Sequence, residues 1–115
     1  MLKNKNIAPA GSAHNVITAG TIIKGDIKAE EDFRIDGRVE GTIDCAGKVI
    51  VGPDAEVIGN IYCNNADLMG KIRGNIEVQE TVSLKHQVNL TGEIITKFLD
   101  IESGAIFNGV CKMQQ

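Results

Sequence analysis

The sequence predicts an all-β protein: a single parallel β-helix, or β-solenoid, of about six coils over residues 16–113, behind a short disordered N-terminal tail. Three observations predict this fold class. An apolar motif recurs about every 17 residues. Within each copy, apolar residues alternate with other residues, as in a strand with one buried face. Only 3% of the residues are aromatic, so the core must be built mainly from Ile, Val and Leu, which favour strands.

The first repeating motif is a seven-residue block. It has an apolar residue at its third position, glycine at its fifth and another apolar residue at its seventh. Successive glycines are 15 to 18 residues apart, and glycine suits tight bends or positive φ. The copies are TIIKGDI (21–27), GRVEGTI (37–43), AEVIGNI (55–61), GKIRGNI (70–76), VNLTGEI (88–94) and AIFNGVC (105–111).

A second motif lies between these blocks and consists of two residues, mostly apolar, separated by one other residue. Its copies are 16 or 17 residues apart. Two independent motifs with one period indicate that a single structural unit is repeated along the chain. The pairs are Val16 and Thr18, Phe33 and Ile35, Val49 and Val51, Ala66 and Leu68, Val82 and Leu84, and Leu99 and Ile101.

The repeat predicts stacked coils, because one repeat cannot bury its own apolar face. Each coil is expected to supply three short strands separated by bends, and each strand pairs with its equivalents about 4.8 Å above and below. Every motif position then becomes a column of like residues inside a tube, as in other solenoids. We expect right-handed winding, since the six-residue steps of left-handed β-helices fit VGPDAEVIGN (51–60) but fail in the neighbouring coils.

Charge and composition exclude several classes of protein. A net charge of −3 argues against nucleic acid as the main partner. No apolar run approaches the roughly 20 residues of a membrane span, and the N-terminus lacks the apolar core of a secretory signal. We therefore expect a cytoplasmic protein whose three cysteines are free thiols. Small residues and a proline predict that residues 1–15 form a flexible tail, and residues 114–115 follow the solenoid domain.

Both ends of the predicted solenoid are apolar and carry no recognisable cap. Natural proteins normally cover or charge such strand edges, and terminal repeats usually have polar outer faces. We therefore predict end-to-end association with further copies, which gives a filament without polarity if like ends meet. The alternative is a monomer whose tail folds over one end. The predicted polymerisation interface comprises Val16, Ile17, Ile22, Leu99, Ile101, Phe107 and Val110.

The repeats also resemble those of a known family. The stretches GTIIKGDI (20–27), FRIDGRVEGTI (33–43) and IESGAIFNGVCKM (101–113) are similar to the bactofilins, bacterial cytoskeletal proteins, and the resemblance covers roughly residues 16–113. It implies a right-handed β-helix that polymerises without nucleotide into non-polar filaments. It further implies association with the inner face of the cell membrane, and a scaffold role for cell-wall enzymes or other client proteins that influences cell shape.

The first seven residues, MLKNKNI, resemble the membrane-targeting start of that family. Large apolar side chains can insert at the interface while neighbouring lysines meet anionic headgroups. Each lysine contributes about 1 kcal/mol near such a surface, so one copy binds weakly and a polymer binds by avidity. An inert tail is the alternative. The predicted membrane-binding residues are Met1, Leu2, Lys3, Lys5 and Ile7.

The sequence predicts no catalytic residue, cofactor or metal site. His14 and His86 have no recognisable nucleophile and orienting partner. A β-helical acyltransferase-like enzyme and a monomeric interaction adaptor therefore stand as alternative functions only. No CxxC motif or Cys/His cluster predicts zinc. Cys45 and Cys63 share one column in adjacent coils, where we interpret them as small apolar fillers rather than a disulfide.

Overall fold

The computed structural model describes residues 15–114. Within this range the chain forms eleven strands and no helix, and all paired strands are parallel. The prediction of an all-β solenoid with about six turns is confirmed. The strands are β1 Asn15–Ile17, β2 Ile22–Lys24, β3 Ile27–Ala29, β4 Phe33–Ile35, β5 Arg38–Cys45, β6 Lys48–Val51, β7 Glu56–Leu68, β8 Lys71–Leu84, β9 Asn89–Thr96, β10 Phe98–Ile101 and β11 Ile106–Met113.

Each strand pairs with the strand one repeat later, and the register follows the columns of the first motif. Ile61 lies between Ile43 and Ile76, and all three are at most 1% exposed. Fully burying an aliphatic side chain of this size contributes about 1.5–3 kcal/mol, so each coil is stabilised mainly by its neighbours. The two columns are Ile23, Val39, Val57, Ile72, Leu90 and Phe107, and then Ile27, Ile43, Ile61, Ile76, Ile94 and Cys111.

The glycine column turns the chain while the hydrogen-bonded ladder continues through it. Gly59 and Gly74 are in register, with φ of 142° and 145°. A Cβ on Gly74 would lie 1.7 Å from the carbonyl oxygen of Gly59, so no larger residue fits the column. Because the ladder is not interrupted at the bends, β7 and β8 run for 13 and 14 residues. The prediction of three short strands per repeat is therefore wrong for these coils.

The second motif is confirmed in five coils and wrong in the first. Phe33 pairs with Asn15 and Ile35 pairs with Ile17, rather than with Val16 and Thr18. A shift of one residue moves every side chain of a strand to the opposite face. Ile17 accordingly points inward and is 5% exposed, whereas Val16 is 53% exposed.

Candidate polymerisation surfaces

The C-terminal end of the solenoid exposes inward-column side chains whose equivalents one coil earlier are buried. Ile101 is in register with Leu84, yet Ile101 is 54% exposed and Leu84 is fully buried. Met113 is in register with Thr96, and their exposed fractions are 55% and 0%. No further coil follows within residues 15–114, so the inward side chains of β10 and β11 are covered on one side only.

Three outward positions of this last coil are also apolar where the preceding coil is polar. Between 51% and 57% of each of these three side chains is exposed. Their solvated faces are therefore apolar in addition to the open column ends. Written with their partners in the preceding coil, they are Phe98 with Thr81, Ile106 with Asn89, and Val110 with Glu93.

The N-terminal end shows the same change over a smaller area. Ile22 and Val16 are 62% and 53% exposed. Ile23 and Ile27 are only partly buried, although they belong to columns that are fully buried in the middle coils. The outward column that contains Ile22 ends in another isoleucine at the far tip. From the first coil to the last it reads Ile22, Arg38, Glu56, Lys71, Asn89 and Ile106.

Exposed apolar side chains are thus concentrated at the two ends. Within residues 15–114, eight large hydrophobic side chains are exposed, and seven of them belong to the first or last coil. The exception is Tyr62, which lies on β7. The terminal strands also pair on one side only, so each end presents unpaired backbone groups beside the apolar surface. Contiguous apolar surface of this kind indicates an interaction site.

All seven residues of the predicted interface belong to these terminal coils. Val16, Ile22, Ile101 and Val110 are more than half exposed. Leu99 and Phe107 are partly buried against the core. Ile17 differs, because its side chain is already covered within the molecule.

The predicted set omitted three exposed residues of the last coil, Phe98, Ile106 and Met113. The register contains the signal that would have identified them. Ile106 is apolar in a column that is polar through the four middle coils, and a side chain with no apolar neighbour within its own column has no core to join. The five predicted membrane-binding residues, Met1, Leu2, Lys3, Lys5 and Ile7, lie outside the described residues.

The cysteines are free and two of them are buried. Burial raises the pKa of the Cys63 thiol to about 12, and burial also raises the pKa of Cys45. The Sγ atoms of these residues lie 3.2 Å from the carbonyl oxygens of Asn65 and Glu31, respectively. Such thiols stay protonated at neutral pH and are poor nucleophiles, which fits the filler interpretation.

The described residues contain no assembled catalytic or metal constellation. The Nδ1 atom of His86 lies 3.8 Å from Oε1 of Glu102, and the imidazole is 68% exposed. No group of three or more His, Cys, Asp or Glu side chains within residues 15–114 is placed to hold a metal ion. In the same range, no helix is long and apolar enough to cross a membrane.

A stacked coil with open, apolar ends is the geometry of a self-assembling rod, and the sequence matches a family with that property. The bactofilin family model, described as polymer-forming cytoskeletal, matches residues 15–112. The chain belongs to the bactofilin family. Bactofilins are structural filament proteins, so the prediction that the chain is not an enzyme is confirmed. The acyltransferase-like alternative loses its support.

Two curated bactofilins of Myxococcus xanthus (strain DK1622) are similar to the chain. BacP is 31% identical over 110 residues, which are 95% of this chain and 46% of BacP. BacO is 32% identical over 97 residues, which are 84% of this chain and 77% of BacO. The chain therefore spans about half the length of BacP.

The fold of this bactofilin is also similar to a solved structure, the cryo-EM reconstruction of Thermus thermophilus bactofilin double helical filaments. The TM-score is 0.83 at 27% sequence identity, and the match covers 87% of this chain and 99% of that chain. The match therefore extends over the whole solenoid domain of the Thermus protein.

Proposed function

We propose that this chain polymerises end to end, without nucleotide, into non-polar filaments that act as a membrane-associated scaffold in the cytoplasm. The observation that carries the proposal is the loss of cover between Leu84 and Ile101, repeated in the other inward columns of the last coil. A further copy at this end supplies the cover that a further coil would have supplied.

Apolar burial provides the driving force for such assembly, so no nucleotide is required. Covering the exposed half of one large apolar side chain contributes about 1 kcal/mol. Five such side chains lie at the C-terminal end, and their burial must exceed the entropy lost on association. Assembly is therefore expected to depend on protein concentration. The five are Phe98, Ile101, Ile106, Val110 and Met113.

Contacts between like ends are supported by the unequal size of the two apolar surfaces. The N-terminal end carries only two of the exposed large hydrophobic side chains, Val16 and Ile22. If unlike ends met, the larger surface would stay partly exposed. If like ends met, each surface would face its equal across a two-fold axis, and the filament would have no polarity.

Membrane attachment is proposed through the N-terminal residues. Leu2 and Ile7 provide apolar contact, while Lys3 and Lys5 provide attraction to the anionic inner face of the cell membrane. Weak single attachments add up along a filament, because each bound subunit raises the effective concentration of the next. A filament held in this way could position cell-wall enzymes or other client proteins and so influence cell shape.

Electron microscopy of purified protein without nucleotide tests the structural part of this proposal. Concentration-dependent filaments with two-fold related junctions are expected. Single particles at all concentrations would favour a monomeric adaptor, and filaments with one repeated head-to-tail junction would contradict the like-end arrangement. For the scaffold part, wild-type filaments used as bait in a lysate of the native host should retain client proteins that a non-polymerising Ile101→Arg variant does not.

A further inference from the structure

The glycine column separates two faces of the solenoid that differ in charge. The basic face consists of the outward side chains that precede the glycines, and the acidic face consists of those that follow them. The charged members of the basic face are Lys24, Arg38, Glu40, Glu56, Lys71 and Arg73. The charged members of the acidic face are Asp26, Lys28, Asp44, Glu77, Glu93 and Lys112.

Internal ion pairs leave the basic face with uncompensated cations. Arg38 pairs with both acids of this face: its Nε lies 2.9 Å from Glu40 and its Nη1 lies 2.6 Å from Glu56. Lys71 and Arg73 lie on the same strand, β8, and both are exposed. Within residues 15–114 neither forms an ion pair, and the same is true of Lys24.

The acidic face has the opposite balance, centred on Tyr62. Asp44 and Glu77 are the two neighbours of Tyr62 in its column, one coil before and one coil after. Neither carboxylate forms an ion pair within the described part of the chain. Glu93, by contrast, is neutralised by Lys112 at 3.1 Å.

A groove of about 520 Å³ opens beside these three side chains and is also lined by Asn64 and Gln79. Tyr62 is 40% exposed and is the one exposed large hydrophobic side chain of the described residues that the apolar ends do not explain. An aromatic ring between two carboxylates suits a cationic side chain, since the ring faces the alkyl stem or charge and the carboxylates accept hydrogen bonds.

We infer that the Tyr62 groove binds the basic face of a second copy of this chain, with Lys71 and Arg73 of one copy meeting Asp44, Tyr62 and Glu77 of the other. The contact joins rods side by side and is distinct from the apolar contact at the ends. It rests on the proposed function, because many such weak contacts become stable only when the copies are already linked in filaments.

The spacing of the charged groups is compatible with this contact. Lys71 and Arg73 are two residues apart on one strand, about 6.8 Å. Asp44 and Glu77 are two ladder steps apart, about 9.6 Å. Lysine and arginine side chains are long enough to cover this difference.

Charge also explains why unlike faces of two copies would meet. Two basic faces repel each other, and so do two acidic faces, whereas a basic face against an acidic face pairs the groups that each copy leaves uncompensated. The partner is therefore present at the same concentration as the groove and repeats with the same spacing along a filament. An unrelated basic peptide has neither property.

Charge reversal on each face provides the test. Double variants Lys71→Glu with Arg73→Glu, and Asp44→Lys with Glu77→Lys, are compared with the quadruple variant that combines them. High-speed sedimentation measures filaments, low-speed sedimentation measures laterally associated filaments, and both are run at low salt. The matched control, Lys97→Glu, has the same charge change as a single reversal but lies at a bend outside both faces.

Each double variant is expected to form filaments as the wild type does while its low-speed pellet falls about tenfold or more, since like charges then face each other. The quadruple variant, and an equimolar mixture of the two double variants, should restore the pellet. Tyr62→Ser should weaken lateral association and Tyr62→Phe should retain it. Raising the salt concentration should separate wild-type filaments laterally without dissolving them.

Three results would overturn the inference and leave the proposed filament intact: wild-type filaments that never associate laterally, double variants that associate as the wild type does, or a quadruple variant that fails to recover. If the basic double variant associates normally but loses binding to phosphatidylserine vesicles, the basic face belongs to the membrane and the inference is wrong. Absence of any wild-type filament would instead contradict the proposed function.

Discussion

Leu84 and Ile101 occupy successive positions in one inward column, but Leu84 is fully buried while Ile101 is 54% exposed. The last coil thus has the side chains of a middle coil without the neighbour that a middle coil has. Its apolar surface follows from the repeat itself, since every coil leaves one apolar side for the next. The solenoid ends without a cap within the described residues, and a second copy can take the place of the missing coil.

The C-terminal end should lose assembly without losing its fold when a charge is placed there. Phe107 is partly buried in the column that contains the fully buried Leu90. Phe107→Arg is expected to remain folded, because its stem can lie along the exposed column end, but to stop polymerising because an unpaired charge would be buried at the junction. High-speed sedimentation measures assembly and thermal unfolding checks the fold.

A second variant protects this prediction against simple unfolding. Val110→Arg changes an outward side chain that is 57% exposed, so it has little effect on the core. Ser83→Arg adds the same charge on the outer side of the preceding coil and serves as the control. Filaments that persist in Phe107→Arg and Val110→Arg would show that the junction lies elsewhere.

The middle columns should tolerate no charge at all. Ile61 is fully buried between Ile43 and Ile76. Ile61→Asp would bury an unpaired carboxylate, at a cost of about 5 kcal/mol, which is comparable with the whole stability of a domain. We expect an unfolded protein by circular dichroism. Asn60→Asp introduces the same group on the outer side of the same strand and should stay folded; a folded, thermostable Ile61→Asp variant would refute the inward column.

The glycine column predicts a difference between two chemically identical substitutions. Gly74→Ala should destabilise by about 3 kcal/mol or more, since its Cβ would meet the carbonyl oxygen of Gly59 at 1.7 Å as well as strain the backbone. Gly25→Ala should cost less, because Gly25 has a φ of 134° but nothing within 4 Å of the added methyl group. Denaturant unfolding measures both, and equal losses would contradict the stacking account.

The thiols should report assembly. Cys111 is partly buried at the C-terminal end, and burial raises its pKa above the ordinary value. Alkylation of unassembled protein should therefore be slow at neutral pH, accelerate as the pH rises through this raised pKa, and occur first at Cys111. Cys63, with its pKa raised to about 12, should stay unlabelled in folded protein.

Polymerisation should protect Cys111 from the reagent, because its column end is then covered. Mass spectrometry of the labelled chain at low and high protein concentration measures the effect. Protection that is equal at both concentrations, in a preparation that does form filaments, would place the junction away from this column.

Membrane binding should require both the N-terminal leucine and the polymer. Leu2→Glu is expected to reduce co-sedimentation with phosphatidylserine vesicles about tenfold or more under polymerising conditions, because it removes an apolar contact and adds repulsion. Val110→Arg, with an unchanged N-terminus, should also bind weakly because avidity is lost. A Leu2→Ile control should bind as the wild type does, and unchanged binding by Leu2→Glu would defeat the membrane proposal.

Most of the fold could be predicted from the sequence, because columns of like residues are visible as a period. The first coil could not be aligned correctly in this way. Both Val16 with Thr18 and Asn15 with Ile17 fit the spacing, and the backbone decides between them: Asp36 donates its N–H to the carbonyl oxygen of Ile17 at 2.7 Å. Such a hydrogen bond has no signature in the spacing of apolar residues.

The ends were predictable in location but not in full composition. An isoleucine reads as a core residue wherever it occurs, so Ile106 acquires its meaning only once the register places it in a polar column. The Tyr62 groove was not predictable, because Asp44, Tyr62 and Glu77 are far apart in sequence and meet only through the ladder.

The most direct test of end-to-end assembly is sedimentation velocity of the purified chain, without nucleotide at neutral pH, over a wide range of protein concentration. The account predicts a shift from single subunits to long polymers as concentration rises, abolished by Ile101→Arg and unaffected by Ser83→Arg. A species of constant, monomeric size at the highest concentration, with Ile101 intact, would contradict it.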